Sequence, residues 1–280
     1  MPRRELAFHE KVEQSIITKY RKELWHPFID AVTRYELIQN GDRIAVLLTG
    51  GKDSFFMAKV LQELHRHGRY QFEIQFLIMD HGFSSADRSV PEETAAKLHL
   101  PAEIIQSTAY LFFEENSVEP SPKLLFKSAK EHGCNKIAVA DHFDDVIETT
   151  LLHMFYGSSL RTLPPKQKSE DFEGMELIRP IYRVHEQNID LWAEEFGLVE
   201  CDSGSAASSS ACDPDSSGRK TIRRLIRRMK QDTPDLDQSI FNSMHVVDLD
   251  TVPGIRYSAV DYSFADAECC FPDSDFPEFM

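Results

Sequence analysis

The chain has 280 residues, 41% of them hydrophobic and 28% charged, which suits one large α/β domain with appendages or two small domains and excludes a fibrous or disordered class. No apolar run approaches the ~20 residues that span a bilayer, and the opening MPRRELAFHEKVEQ has basic residues with no apolar core behind them, so the expected compartment is the cytoplasm. A formal net charge of −15 argues against a general nucleic-acid coat protein, and five scattered cysteines, an odd number, argue against a disulfide framework.

Taken in chain order, residues 6–38 carry Ile16, Ile17, Trp25, Phe28, Ile29, Val32 and Leu37 at helical spacing and predict one or two N-terminal helices. The pattern then changes. Residues 44–48, 72–79, 102–105 and 136–140 are short apolar or alternating runs, followed in turn by helix-like segments near 53–67, 87–98, 122–132 and 144–156. That alternation predicts an α/β fold with a doubly wound parallel sheet. A further run at 176–178 precedes an Arg179-Pro180 break and a helix near 185–196. The stretch DSGSAASSSACDPDSSG at 202–218 reads as a flexible Ser-rich loop. A basic helix at 219–230 and a short helix at 236–244 follow, then an acidic, aromatic tail. The expected organisation is therefore an N-terminal helical segment over 1–40, a nucleotide-type α/β domain over 41–201, the loop over 202–218, a small helical extension over 219–256 and the tail over 257–280.

The first strand ends in Thr49-Gly50-Gly51-Lys52-Asp53-Ser54 and a helix begins at once. Such a turn directs backbone N–H groups toward an anion, and Lys52 adds a charge. The Walker A loop is excluded, because Val46 stands where its first glycine belongs. Taken bare, the alternatives are a phosphate site and a plain glycine turn with an exposed lysine. In an open parallel sheet the ligand crevice lies beyond the strand ends where the order reverses, so the first strand should face the fourth. That strand leads into Asp141-His142-Phe143-Asp144-Asp145, with Glu148 one turn further on. Carboxylates there suit Mg²⁺ beside phosphate oxygens. Equally, Asp141 or Asp144 caps the helix while Asp145 favours its positive end, with no metal.

The TGGKDS segment resembles the Ser-Gly-Gly-x-Asp-Ser loop of the PP-loop N-type ATP pyrophosphatases, with Thr49 in place of Ser. The stretch NKIAVADHFDDVIETTLLHMFYGSSLRTLPPK at 135–166 looks like the tRNA 2-thiocytidine synthetase branch of that family, and the likeness extends over YELIQNGDRIAV, FEGMELIRPIYRVHEQNI and residues 219–254. The resemblance implies a HUP-like (adenine nucleotide alpha hydrolase-like) fold and ATP-dependent thiolation of a tRNA cytidine. ATP would adenylate the C2 oxygen, and a sulfur nucleophile would displace AMP. It implies ATP contacts at Thr49, Gly50, Gly51, Lys52, Asp53, Ser54 and His142, with Asp80 near the ribose or adenine by position. Lys52, Asp53, Asp144 and Asp145 become the expected catalytic residues, and Asp53, Asp144 and Asp145 the expected Mg²⁺ ligands. Implied partners are tRNA and a sulfur donor such as a cysteine desulfurase; a homodimer stays open.

The chain departs from that family in its sulfur half. The family's Cys-x-x-Cys, which holds an iron–sulfur cluster, is replaced by NSVEPSPKLLFKSAKEHG, so an ordinary cluster is expected to be absent. Asp141 stands at the first His of the family's His-His pair, and Ala140 replaces Gly. Cys201 or Cys212 could carry a persulfide instead; the nucleophile could differ; or the chain could bind nucleotide or RNA without chemistry. In the basic helix, Arg219, Lys220, Arg223, Arg224, Arg227 and Arg228 alternate with Ile222, Leu225, Ile226 and Met229. By itself that pattern fits a solvated helix pairing with the protein's own carboxylates, and with the resemblance it fits a surface for tRNA phosphates.

Overall fold

The computed structural model describes residues 5–80, 85–106, 122–198, 214–248, 254–257 and 260–263. The chain forms two compact units, Met1–Asp237 and Gln238–Met280. The first is built on a six-stranded sheet of order β3-β2-β1-β4-β6-β5, with β1 at Arg43–Leu48, β2 at Glu73–Asp80, β3 at Ala102–Gln106, β4 at Lys136–Ala138, β5 at Lys166–Lys168 and β6 at Glu176–Ile178. All neighbours run parallel except β5, which pairs antiparallel with β6. The crossover helices are α3 at Lys52–His67, α4 at Ser85–Lys97 and α5 at Pro122–Glu131; α6 at Phe143–Phe155 and α7 at Glu186–Glu195 follow β4 and β6. The second unit carries a β-hairpin, β7 at Gly254–Tyr257 and β8 at Val260–Ser263.

The central strand explains its own sequence. From Ile44 to Leu48 every residue of β1 is buried, because helices cover both faces of a parallel sheet and the strand must then be apolar on both sides. β1 pairs with β2 on one side and β4 on the other, with Val46 opposite Phe76 and Ala138. The strand order therefore reverses between β1 and β4, as the alternating pattern predicts. Edge strand β5 escapes that pattern: Lys166-Gln167-Lys168 is polar, lies at the margin and forms only through its antiparallel partner.

The N-terminal segment folds as α1 at Phe8–Ile17, a π-helical turn at Arg21–Trp25 and α2 at His26–Arg34. A buried ion pair docks α1 on α3. Lys59 is 0% exposed, and its Nζ donates to Glu13 Oε1 at 2.5 Å, Gln62 Oε1 at 2.5 Å and the Leu98 carbonyl at 2.9 Å. Burial pushes the Glu13 carboxyl up, but Lys59 and Arg66 outweigh it and hold the group below its ordinary value. Trp192 Nε1 donates to Ser15 Oγ at 3.2 Å, tying α7 to α1.

The basic helix α8 spans Pro214–Met229 and packs on α6. It starts at Pro214, inside the stretch predicted as loop. Short helix α9 follows at Leu236–Ser243.

Candidate ATP site

Three helix starts meet at the reversal between β1 and β4. β1 delivers Thr49-Gly50-Gly51 to the start of α3. Gly50 has φ +91°, a left-handed conformation open to glycine and costly for a side chain. Gly51 is the N-cap and makes no side-chain cap, so first-turn amides of α3 lack an intrahelical partner and point outward. Ser54 Oγ donates to the Gly51 carbonyl at 2.7 Å, bracing the loop from within. Thr49 is exposed beside it, whereas Ser54 is buried.

Lys52, first residue of α3, lies in a cage of acid. Its Nζ is 3.4 Å from Asp53 Oδ2, 3.5 Å from Glu186 Oε1 and 3.2 Å from Asp190 Oδ1. Burial pulls the ammonium pKa down, but Asp53, Asp190 and Glu186 outweigh it and raise it, so Lys52 is a permanent cation. Glu186 and Asp190 escape a reading by motif. They sit one helical turn apart on α7, more than a hundred residues after the loop, and the only local signal was acid in a helix start after the Arg179-Pro180 break.

Across the crevice, β4 runs through Ala140 and Asp141 into α6. The N-cap is His142, 3% exposed. Its Nδ1 accepts from the Asp145 amide at 3.3 Å while Asp145 Oδ2 accepts from the His142 amide at 3.1 Å, a reciprocal capping box. Asp144 Oδ2 accepts from the Glu186 amide at 2.8 Å, which fixes α7 to α6. The imidazole Nε2 lies 3.9 Å from Glu186 Oε1, the oxygen that also faces Lys52. Burial lowers the His142 pKa, but Asp145, Asp53, Glu186 and Asp144 together raise it. Burial pushes the Asp145 carboxyl up against the pull of His142. Burial would raise Glu186 too, yet His142, Arg223 and Lys52 hold it low and ionised.

Two expectations change here. Asp141, expected to face the phosphates with the other carboxylates, pairs with Arg179 Nε at 2.6 Å; that arginine also donates to the Pro164 carbonyl at 2.6 Å, so the pair braces the loop before β5. Arg223, expected on an open basic face, pairs with a carboxylate while its side chain stays 45% exposed. Its Nε lies 2.6 Å from Glu148 Oε1 on α6, giving that buried carboxylate the cation without which its burial would be costly. Arg219, Lys220, Arg224, Arg227 and Arg228 make no ion pair with another described residue. Asp80 ends β2 at the same sheet edge, but its side chain, like Cys201 and Cys212, lies outside the described residues.

The carboxylates fit a hard cation. Asp53 Oδ1 is buried and has no hydrogen-bond partner, which leaves an oxygen for a ligand at the loop. Among the described residues no group of three or more His, Cys, Asp or Glu side chains forms a ready metal cage. Mg²⁺ needs none, since it commonly takes one or two carboxylates and completes its shell with phosphate and water.

A family model described as a PP-loop domain matches residues 18–205. The chain is 31% identical over 209 residues to the tRNA-cytidine(32) 2-sulfurtransferase of Hahella chejuensis, covering 70% of this chain and 72% of that protein. It is 28% identical over 243 residues to the enzyme of the same name from Bdellovibrio bacteriovorus, covering 83% and 89%. Among solved structures, the U34-tRNA thiolase NcsA from Methanococcus maripaludis, described with its 4Fe–4S cluster, superposes with a TM-score of 0.58 at 17% identity, over 79% of this chain and 77% of that one, which shows a shared fold. With its glycine loop between β1 and α3, its acidic helix start across the crevice and that matched span, the chain belongs to the PP-loop ATP pyrophosphatase family, among relatives named tRNA-cytidine(32) 2-sulfurtransferases.

Proposed function

We propose that this protein is an ATP-dependent tRNA-modifying enzyme that adenylates the C2 oxygen of a cytidine and prepares it for exchange with sulfur. The observation that carries the reading is the meeting of Lys52, the uncapped start of α3 and the orphaned Asp53 oxygen at one sheet edge, in a chain that aligns with tRNA-cytidine(32) 2-sulfurtransferases along most of its length.

ATP is the substrate of the first step. Thr49, Gly50, Gly51 and Ser54 shape the loop that takes its phosphates, and the helix-start amides supply donors where charge builds on the leaving pyrophosphate. Lys52 exchanges its carboxylate partners for phosphate oxygens as ATP enters. The base oxygen forms a bond to the α-phosphorus, the bond from that phosphorus to the bridging oxygen breaks, and pyrophosphate leaves; a sulfur nucleophile then adds at C2 and expels AMP. Mg²⁺ bound by Asp53, Asp145 and, with a change of hydrogen bonding, Asp144 would offset the negative charge gathered on the triphosphate. His142 holds the start of α6 against Glu186 and keeps Asp144 and Asp145 aimed at the crevice. Asp80 is the proposed contact to the nucleoside end of ATP. The cations of α8 that pair with no described residue would contact tRNA phosphates, and Cys201 or Cys212 would carry sulfur received from a donor such as a cysteine desulfurase.

Pyrophosphate release from ATP on addition of tRNA, measured anaerobically with magnesium, tests the first step. Nucleoside mass spectrometry of tRNA from a strain lacking the gene tests the product: an unchanged thiolated-cytidine pool would sink the thiolation claim. A second reading, adenylation with a different nucleophile, is favoured by one observation: no cysteine precedes Cys134, so the Cys-x-x-Cys segment has no counterpart. Tested that way, pyrophosphate release with no thiolated product selects it.

A further inference from the structure

Beside the site, Glu148 is a buried carboxylate with half of its bonding complete. It follows Asp145 by three residues and Asp144 by four on α6, so it neighbours both on the helix surface, about 5 Å further along the axis. Its side chain is 4% exposed. Oε1 accepts from Arg223 Nε at 2.6 Å, whereas Oε2 is buried and has no hydrogen-bond partner. Burial pushes the Glu148 carboxyl up and Arg223 pulls it down; Asp145 and Glu186, which add to the upward push, also act on Arg223, so the pair lies beside the acids of the crevice.

The seat of α8 on α6 holds Arg223 there. Ile222 is buried, and Gly218 lets the helices close, since a Cβ at that position would come within 3.0 Å of Leu152 Cδ2. The half-exposed Arg223 side chain can swing aside without unseating either helix.

A buried carboxylate oxygen without a donor is costly. What Oε2 lacks is a neutral N–H, because Arg223 already supplies a cation and would repel a second. The amine on C4 of cytosine is such a donor, and carboxylates accept from it in base recognition. The C2 oxygen lies across N3 on the same edge, so a base held by its amine keeps that oxygen free for the α-phosphorus. Uracil has O4 in place of the amine and would set two acceptors against each other. Adenine of ATP also carries an amine, but its proposed contact, Asp80, stands across β1 from α6, since the sheet order runs β2-β1-β4.

We infer that Glu148 selects cytosine: Oε2 accepts from the 4-amino group of an unpaired base, and Arg223 positions the carboxylate by holding Oε1. This rests on a cytidine as the acceptor at the ATP site. Because the amine belongs to the Watson–Crick edge, the substrate is a cytidine in a single-stranded loop.

The test is pyrophosphate release with tRNA transcripts whose loop cytidines are kept, replaced by uridine, or replaced by pyrimidin-2-one riboside, which is cytidine without the amine. For the wild type, kcat/KM should fall by about 10- to 100-fold on loss of the amine, and at least as far with uridine. Glu148→Gln, whose amide can also donate to O4, should lower the cytidine-to-uridine ratio by about tenfold or more. The intrinsic reactivity of each base cancels between variant and parent. Glu148→Asp keeps the charge opposite Arg223 but withdraws the oxygen, so it should lower the ratio of cytidine to pyrimidin-2-one, and it decides the matter if Glu148→Gln does not fold. Equal loss on all three RNAs, with the ratios kept, makes Glu148 a structural partner of Arg223; that overturns the inference and leaves the adenylation reading standing. Full release by the wild type from the pyrimidin-2-one transcript overturns it as well. No release from any transcript overturns the adenylation reading and this inference with it.

Discussion

Helix α3 holds two lysines seven positions apart that the structure uses in opposite ways. Lys59 lies in the core with Glu13 and two amide-type oxygens, every partner fixed and no solvent in reach. Lys52 lies at the helix start with three carboxylates at 3.2–3.5 Å, all longer than a tight ion pair and all partly exposed. The difference lies in replaceability. A buried pair that loses one member strands the other in low dielectric. A cation among several loose carboxylates can trade them for an incoming phosphate, because water and neighbouring cations accommodate what it releases.

The contrast can be broken from either side. The largest effect is expected at the buried pair: Lys59→Met should cost about 3–5 kcal/mol of stability by removing the buried cation and leaving only the half-exposed Arg66 facing Glu13, read by urea denaturation. Adding Glu13→Gln should recover part of that loss; a double variant no better than the single would mean that Arg66 by itself compensates the carboxylate. Next, Lys52→Met should leave the denaturation midpoint nearly unchanged but reduce tRNA-dependent pyrophosphate release by about 10²–10³, the magnitude of losing one preorganised donor. Equal damage to stability would erase the distinction. Gly50→Ala should cost about 1–3 kcal/mol, because φ +91° is strained for a side chain, and should raise the KM for ATP in protein that remains folded. The smallest effect concerns pH. The Glu13 carboxyl sits below its ordinary 4.5, so its contribution is complete above that pH and is lost as pH falls through the lower folded value. Acid titration of the wild type and of Glu13→Gln should diverge in that window, with the variant flatter.

Much of this arrangement could be read along the chain where the cause is local. The burial of β1 follows from a five-residue apolar run, and the turn at Gly50 and Gly51 from the glycines between that run and a helical period. The order around β1 and β4 follows from the alternation of strand and helix. Acid at the start of α6 was visible, but its division of labour was not. Asp145 closes a capping box, Asp144 holds the Glu186 amide and Asp141 serves Arg179. Three aspartates within five residues look alike in sequence, and only their neighbours in space separate them. The pairing of Arg223 had the same cause, since its partner Glu148 lies 75 residues earlier in the chain.

By itself, then, the sequence determined the parallel α/β architecture, the anion-ready loop and the membership of the PP-loop family, because these rest on hydrophobic period, turn chemistry and contiguous motif. Only the tertiary structure decided that Glu186 and Asp190 neutralise Lys52 and that Arg223 belongs to Glu148. Each depends on a buried or half-buried charge finding its partner across the fold, and electrostatic pairing leaves no periodic trace in a chain.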